Sequence, residues 1–244
     1  MNEEPLETSR PRFQRMRRTL LDPLAWWMSR PALQRALAAR TPEEIVRAVS
    51  DYSGRGFYEH IKPMQDEREL LDMVRVVERR QPRVIMEIGT RSGGTLFAWV
   101  RASRAADLVI SIDLPDGRFG GGYDRRRARL YAAFAADRPR TRMVMIRADS
   151  HAPATLAAAK QALAGRSVDF LFIDGDHTYA GIRSDFEQYG ALVAPGGIIA
   201  LHDIRTTGRE REVSTYWQEL KREYECEEIA YRPAHLGIGI IHKR

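Results

Sequence analysis

The sequence predicts a doubly wound α/β protein: a mostly parallel sheet with helices on both faces, closed by an antiparallel hairpin. Three observations carry this. Short apolar runs alternate regularly with helical stretches from about residue 66 onward. The runs are continuously apolar, which suits strands covered on both faces. The last two runs lie close enough in sequence to pair antiparallel.

Taken in order, residues 13–39 read as helical but contain Pro23 and Pro31, which should break or kink a helix. "TPEEIVRAV" offers Thr41 as N-cap, Pro42 at the first helical position and Glu44 three residues after the cap, a strong helix start. "DYSGRGF" (51–57) reads as a hinge, dividing an N-terminal helical arm (1–54) from a main domain (55–244). There follow a helix over 66–80, strand "RVIMEI" (83–88), a helix from Gly94, strand "LVISID" (108–113) and a helix near 124–136. The pattern continues with strand "RMVMIRA" (142–148), a helix near 152–164, strand "VDFLFID" (168–174), a helix near 178–191 and strand "GGIIALHD" (196–203). A helix over about 210–223 precedes the closing strands near 225–231 and 236–242.

Composition narrows the class. Hydrophobic residues at 43% and charged residues at 30% describe an ordinary globular chain. The lone Cys226 leaves no disulfide framework or cysteine-ligated cluster, which fits a reducing compartment. No apolar stretch approaches a membrane span, and the acidic "MNEEPLET" does not read as a signal peptide, so the cytoplasm is the expected location. The net charge of +6 is concentrated: eight arginines against four acids give residues 1–40 a net of +4, leaving +2 for the rest. That distribution argues against a nucleic-acid surface. The arm, with its arginines and Trp26-Trp27, reads instead as a contact through which copies of the chain form a homo-oligomer, with an anionic membrane surface as the other reading.

Ligands of such sheets bind at the carboxyl ends of the strands. After the first strand comes Glu87-Ile88-Gly89-Thr90-Arg91-Ser92-Gly93-Gly94. The spacing G-x-x-x-G-G differs from the dinucleotide fingerprint, and an acid before the first glycine would repel a pyrophosphate but suits an ammonium. An NAD-dependent oxidoreductase is disfavoured on both counts. Asp113 ends the second strand, where a carboxylate can accept both hydroxyls of a ribose. Asp149-Ser150-His151 follow the third, where an acid can take an adenine amino group. The fourth strand ends in Asp174-Gly175-Asp176-His177 and the fifth in His202-Asp203, an oxygen-rich set suited to a cation. A local alternative for Asp176-His177-Thr178 is a cap on the following helix. "RFGGGYDRR" (118–126) reads as a lid that offers Tyr123 and Arg125 to substrate. Trp217 reads either as an acceptor wall or as core.

The stretches "EIGTRSGGT", "SIDLP", "ADSH", "FIDGDHTYAGIRSDFEQY" and "APGGIIALHDI" resemble the class I S-adenosylmethionine-dependent methyltransferases, in the branch of cephalosporin-hydroxylase-type proteins and sugar O-methyltransferases. The likeness spans roughly residues 60–242. It implies a Rossmann-like methyltransferase sheet in which Glu87 and Gly89, Thr90, Arg91, Ser92, Gly93 and Gly94 hold the methionine part. Asp113 would hold the ribose, Asp149 and Ser150 the adenine end, and Asp174 would border the same pocket. Metal-dependent relatives use an acid matching Asp174 and two consecutive acids after the fifth strand, which map onto His202 and Asp203. The histidine is a departure that removes one hard ligand, so a divalent cation (magnesium or manganese) and a metal-free base mechanism both stay open. Asp176 matches the base of related sugar methyltransferases, with His177 and His202 as alternatives. The implied activity is methyl transfer to a hydroxyl of a small molecule, a sugar or natural product. The branch also implies a second reading, a non-catalytic S-adenosylmethionine-binding partner of a biosynthetic complex.

Overall fold

The computed structural model describes residues 21–115, 121–207 and 212–244. Seven strands form one sheet: β1 (Val84–Ile88), β2 (Leu108–Asp113), β3 (Arg142–Arg147), β4 (Val168–Ile173), β5 (Val193–His202), β6 (Cys226–Ile229) and β7 (Ile238–His242). Their order is β3-β2-β1-β4-β5-β7-β6. β1 pairs in parallel with both β2 and β4, and β7 runs antiparallel between β5 and β6. This is the predicted architecture. Every residue of β1 and β2 is buried, which is why those strands read as near-continuous apolar runs, interrupted only by Glu87, Ser111 and Asp113. β3, at an edge, is only half covered.

The helices are α1 (Asp22–Leu37), α2 (Pro42–Asp51), α3 (Glu67–Arg80), α4 (Gly94–Ala102), α5 (Arg125–Ala132), α6 (Pro153–Leu163), α7 (Tyr179–Gly190) and α8 (Glu212–Glu223). One face of the sheet carries a core joining Leu33, Ile45, Met73, Phe97 and Tyr131, from α1 through α5, with Phe170 and Phe172 of β4. The other joins Leu163, Phe186 and Trp217, from α6 to α8, with Met86 and Leu171. No helix among the described residues is long and apolar enough to cross a membrane.

The predicted start at Thr41 is present as a reciprocal capping box with Glu44. Pro31, in contrast, does not break the helix as expected: α1 runs through it, and Pro23 sits in its first turn, where no helical N–H bond is needed. The carbonyl that Pro31 leaves without a helical donor belongs to Trp27, which is exposed to water. The expected hinge is also a packed turn. Gly54 N–H donates to the Glu59 carbonyl (3.0 Å), and a Cβ on Gly54 would lie 2.1 Å from the Tyr58 carbonyl oxygen. The Arg55 amide donates to Ser29 Oγ of α1, and the Tyr58 hydroxyl donates to Asp22. The helix expected over 124–136 ends at Ala132 and tightens into a 3₁₀ turn, Ala133–Ala135.

Candidate active site

The strand order reverses between β1 and β4, and the loops leaving their carboxyl ends lie side by side. Register pairs Ile88 with Ile173, so Gly89 stands beside Asp174. Asp174 N–H donates to the Ile88 carbonyl (2.8 Å), and a Cβ on Gly89 would lie 1.9 Å from the Asp174 carbonyl oxygen. With φ at +87°, this position accepts only glycine without strain. A Cβ on Gly94 would likewise lie 2.2 Å from the Ile61 carbonyl oxygen. The bare backbone of this loop therefore serves close packing against other segments of the chain.

Glu87 is fully buried, and neither carboxylate oxygen has a hydrogen-bond partner. Burial pushes its pKa up to about 8, partly offset by Thr90 and Thr95 and reinforced by the charge of Asp174. Thr90 Oγ1 shares a buried hydrogen bond with Ser111 Oγ (2.7 Å), and Ser111 bonds the Tyr123 hydroxyl (3.1 Å). Asp113 accepts from the Arg91 and Leu114 amides (2.6 and 2.7 Å), which ties the glycine loop to the end of β2. Burial raises its pKa, and those backbone bonds oppose the rise. Ser92 Oγ donates to the Lys62 carbonyl (2.9 Å), while Gly93 N–H closes a turn onto the Thr90 carbonyl (2.7 Å). Arg127 binds three segments at once, donating to the carbonyls of Phe57, His60 and Ser92 and to the Tyr131 hydroxyl.

At the end of β3, Asp149 accepts from the His151 amide (2.9 Å), and the Ser150 carbonyl accepts from the Tyr189 hydroxyl (2.7 Å). His151 faces Asp185 of α7 at 3.4 Å. Asp185 is fully buried, and burial pushes its pKa up to about 6.

The second constellation converges at the ends of β4 and β5. Donor atoms of Asp174, His177 and Asp203 lie within 4.8 Å of one another. His202 Nδ1 contacts Asp174 Oδ1 (3.2 Å) and Asp203 Oδ1 (3.4 Å), while its Nε2 is buried without a partner. Burial opposes charge on His202, but the two carboxylates outweigh it and push its pKa up to about 10. His177 is raised by its bond to Asp174, and Asp174 is held low by both imidazoles against its burial. Asp176 sits apart: its Oδ1 accepts from the Thr178 amide (2.8 Å), and its side chain lies over Gly181 in the first turn of α7. Thr178 is the cap itself, accepting from the Gly181 amide.

Two expectations change. Tyr123 is 2% exposed, packed edge-on against Tyr131 at 4.8 Å, and cannot meet a substrate from a lid. Residues 116–120, the first part of that loop, lie outside the described residues, as do 208–211 of the segment before α8 and residues 1–20. Trp217 is core: it is fully buried beneath Gly239 and donates to Glu228 (2.8 Å). Gln65, whose Nε2 donates to Asp174 Oδ2 (2.9 Å), and Arg127, which ties the glycine loop to the turn before α3, were not legible as neighbours of the site. A single glutamine ahead of a helix cap and one arginine in an arginine-rich helix carry no periodic or spacing signal.

A family model described as a methyltransferase domain matches residues 86–204, the segment that carries both constellations. The match covers just under half of the chain, and the seven-strand order is the one that the resemblance to class I S-adenosylmethionine-dependent methyltransferases predicts. Among curated proteins it is similar to the uncharacterized protein y4gI of Sinorhizobium fredii, 27% identical over 148 residues and 59% of this chain. The match spans only 16% of that protein's length. Among solved structures the fold is similar to the O-methyltransferase TomG from Streptomyces achromogenes, solved with S-adenosylmethionine (TM-score 0.51, 15% identity, 70% of this chain and 78% of that one). It is also similar to an O-methyltransferase from Bacillus cereus, solved with S-adenosylhomocysteine (TM-score 0.52, 15% identity, 93% of this chain and 100% of that one).

Proposed function

We propose that the protein transfers a methyl group from S-adenosylmethionine to a hydroxyl of a small molecule, a sugar or natural product, bound between the ends of β4 and β5. The observation that carries this reading is the convergence of Asp174, His177 and Asp203 next to the glycine loop. A buried, unpartnered Glu87 fits the ammonium end of the cofactor, and Asp113 fits its ribose. Asp149 and Ser150 stand at the strand end where the adenine is expected. When bound, the cofactor supplies an electrophilic methyl group on a sulfonium.

The residues of the chain must then align the acceptor oxygen and remove its proton. Where a divalent cation binds, Asp174, His177 and Asp203 are the side chains that would hold it, with His202 bracing both carboxylates. The cation would supply positive charge that lowers the hydroxyl pKa. Asp174 and Asp203 push both imidazoles toward the protonated form, so neither is a ready proton acceptor in the free protein. Asp176 stands outside that pairing at the end of the same strand, and we assign it the proton. Asp176→Asn is expected to cut turnover by roughly 100- to 10,000-fold, while calorimetric affinity for S-adenosylhomocysteine stays unchanged. Full turnover in that variant refutes the assignment.

We also propose that the helices before residue 55 act as an arm joining copies of the chain. Leu24, Trp27 and Met28 stand 52%, 64% and 46% exposed on one helix, an apolar patch that a second copy would cover.

A further inference from the structure

Gln65 lies outside the segment matched by the methyltransferase family, in the turn before α3, yet its side chain reaches the centre of the site. Its Nε2 donates to Asp174 Oδ2 (2.9 Å), while its Oε1 is buried with no partner. The amide orientation is fixed, because the reverse would set two oxygens 2.9 Å apart. The turn itself is strapped over the glycine loop: Ser92 Oγ donates to the Lys62 carbonyl, and Gly94 packs on the Ile61 carbonyl. Asp66, the next residue, caps α3 and binds Arg232 (3.1 Å), so the backbone of Gln65 is held from its other side as well.

Glu87 lies on the same face of the sheet. Its strand partner is Phe172, two residues before Asp174, and the Asp174 charge acts on it. Gln65 Oε1 therefore lies buried beside the loop without a donor, and the Glu87 oxygens, near the Thr90 and Thr95 hydroxyls, make no full hydrogen bond of their own. Leaving such atoms unpaired is costly, and each needs an N–H or O–H. A phosphate or carboxylate offers acceptors only, and a hydroxyl offers one donor. A primary ammonium offers three donors and a charge that matches Glu87.

We propose that Gln65 belongs to the cofactor site, where its side-chain carbonyl, with Glu87, receives the methionine ammonium while its amide holds Asp174. This rests on the methyltransferase reading and adds a residue contributed from outside the matched segment. The carboxamide thereby joins the group that recognises the cofactor to the carboxylate that faces the acceptor.

The test is calorimetry on the full chain with two ligands, S-adenosylhomocysteine and its analogue lacking the α-amino group, against wild type and Gln65→Met. The near-isosteric variant should bind S-adenosylhomocysteine roughly tenfold or more weakly, the worth of one hydrogen bond to a charged group. Its affinity for the deaminated analogue should change less than about threefold, within the few tenths of a kcal/mol of an indirect effect. Gln65→Asn, which keeps the amide but shortens its reach, should show the same selective loss. Equal loss for both ligands in both variants, or no loss for either, overturns the proposal. If S-adenosylhomocysteine fails to bind the wild type at all, the methyltransferase reading falls and the proposal falls with it.

Discussion

Replacing Glu87 by Gln keeps the shape of the side chain and removes a carboxyl whose pKa burial raises from 4.5 to about 8. In the unfolded chain the same group loses its proton near 4.5. Between these values the folded ligand-free protein holds a proton that the unfolded chain has released. Its stability therefore falls as pH rises, by about 1.4 kcal/mol per pH unit from this group alone. The stability is complete below 4.5 and lost through the folded value near 8. Over the full window the difference reaches on the order of 5 kcal/mol, an upper bound because local relaxation softens it. Glu87→Gln lacks this slope. Urea denaturation of both proteins at pH 5, 6, 7 and 8, without ligand, isolates it, since groups not coupled to Glu87 cancel in the difference. The variant should gain stability relative to wild type steadily with pH, while its affinity for S-adenosylhomocysteine falls. A stability difference that stays flat from pH 5 to 8 would refute the reasoning, because Glu87 would then ionise in the folded protein without cost.

Asp113→Ala should weaken S-adenosylhomocysteine binding by about 1.5–3 kcal/mol, read by calorimetry, as a charge-assisted bond to ribose is lost. Asp174→Asn and Asp203→Asn should abolish product formation in a labelled-methyl assay while cofactor affinity changes only a few fold. Exhaustive chelation of wild type should do the same if a cation takes part, and an untouched rate would leave the base alone. Trp27→Glu should shift the protein toward smaller species in sedimentation velocity without loss of helical signal, because it places a charge in the exposed patch of α1. An unchanged oligomer would remove the arm from that role.

The sheet was legible because strands covered on both faces are mostly apolar, as β1, β2 and β4 are apart from Glu87, Ser111, Asp113 and Asp169. The positions of Glu87, Asp113, Asp174 and His202-Asp203 followed from the rule that ligands gather at strand ends. Contacts between distant segments were not legible. Nothing local in the sequence places Gln65 on Asp174, 109 positions away, or aims Arg127 at the turn before α3. Pro31 misled because helix propensity weighs a lost backbone bond but not its exposure to water. Tyr123 misled because a tyrosine among glycines and arginines looks exposed, whereas Ser111 of β2, 12 positions earlier, supplies its hydroxyl with a buried partner.

The backbone at Asp203 ties the second constellation together. His202 is the last residue of β5, and consecutive residues of a strand point to opposite faces. Asp203 nevertheless has φ at +63°, a left-handed conformation that costs a non-glycine residue about 1 kcal/mol or more. That turn swings its carboxylate back, so that Oδ1 meets His202 Nδ1 at 3.4 Å and Oδ2 meets His177 Nε2 at 3.6 Å. The Thr206 hydroxyl donates to Oδ1 (3.2 Å) and helps hold the bend. A strand continued in regular geometry would have separated the two side chains by the thickness of the sheet. Strain held at this one position makes neighbours in sequence converge on Asp174.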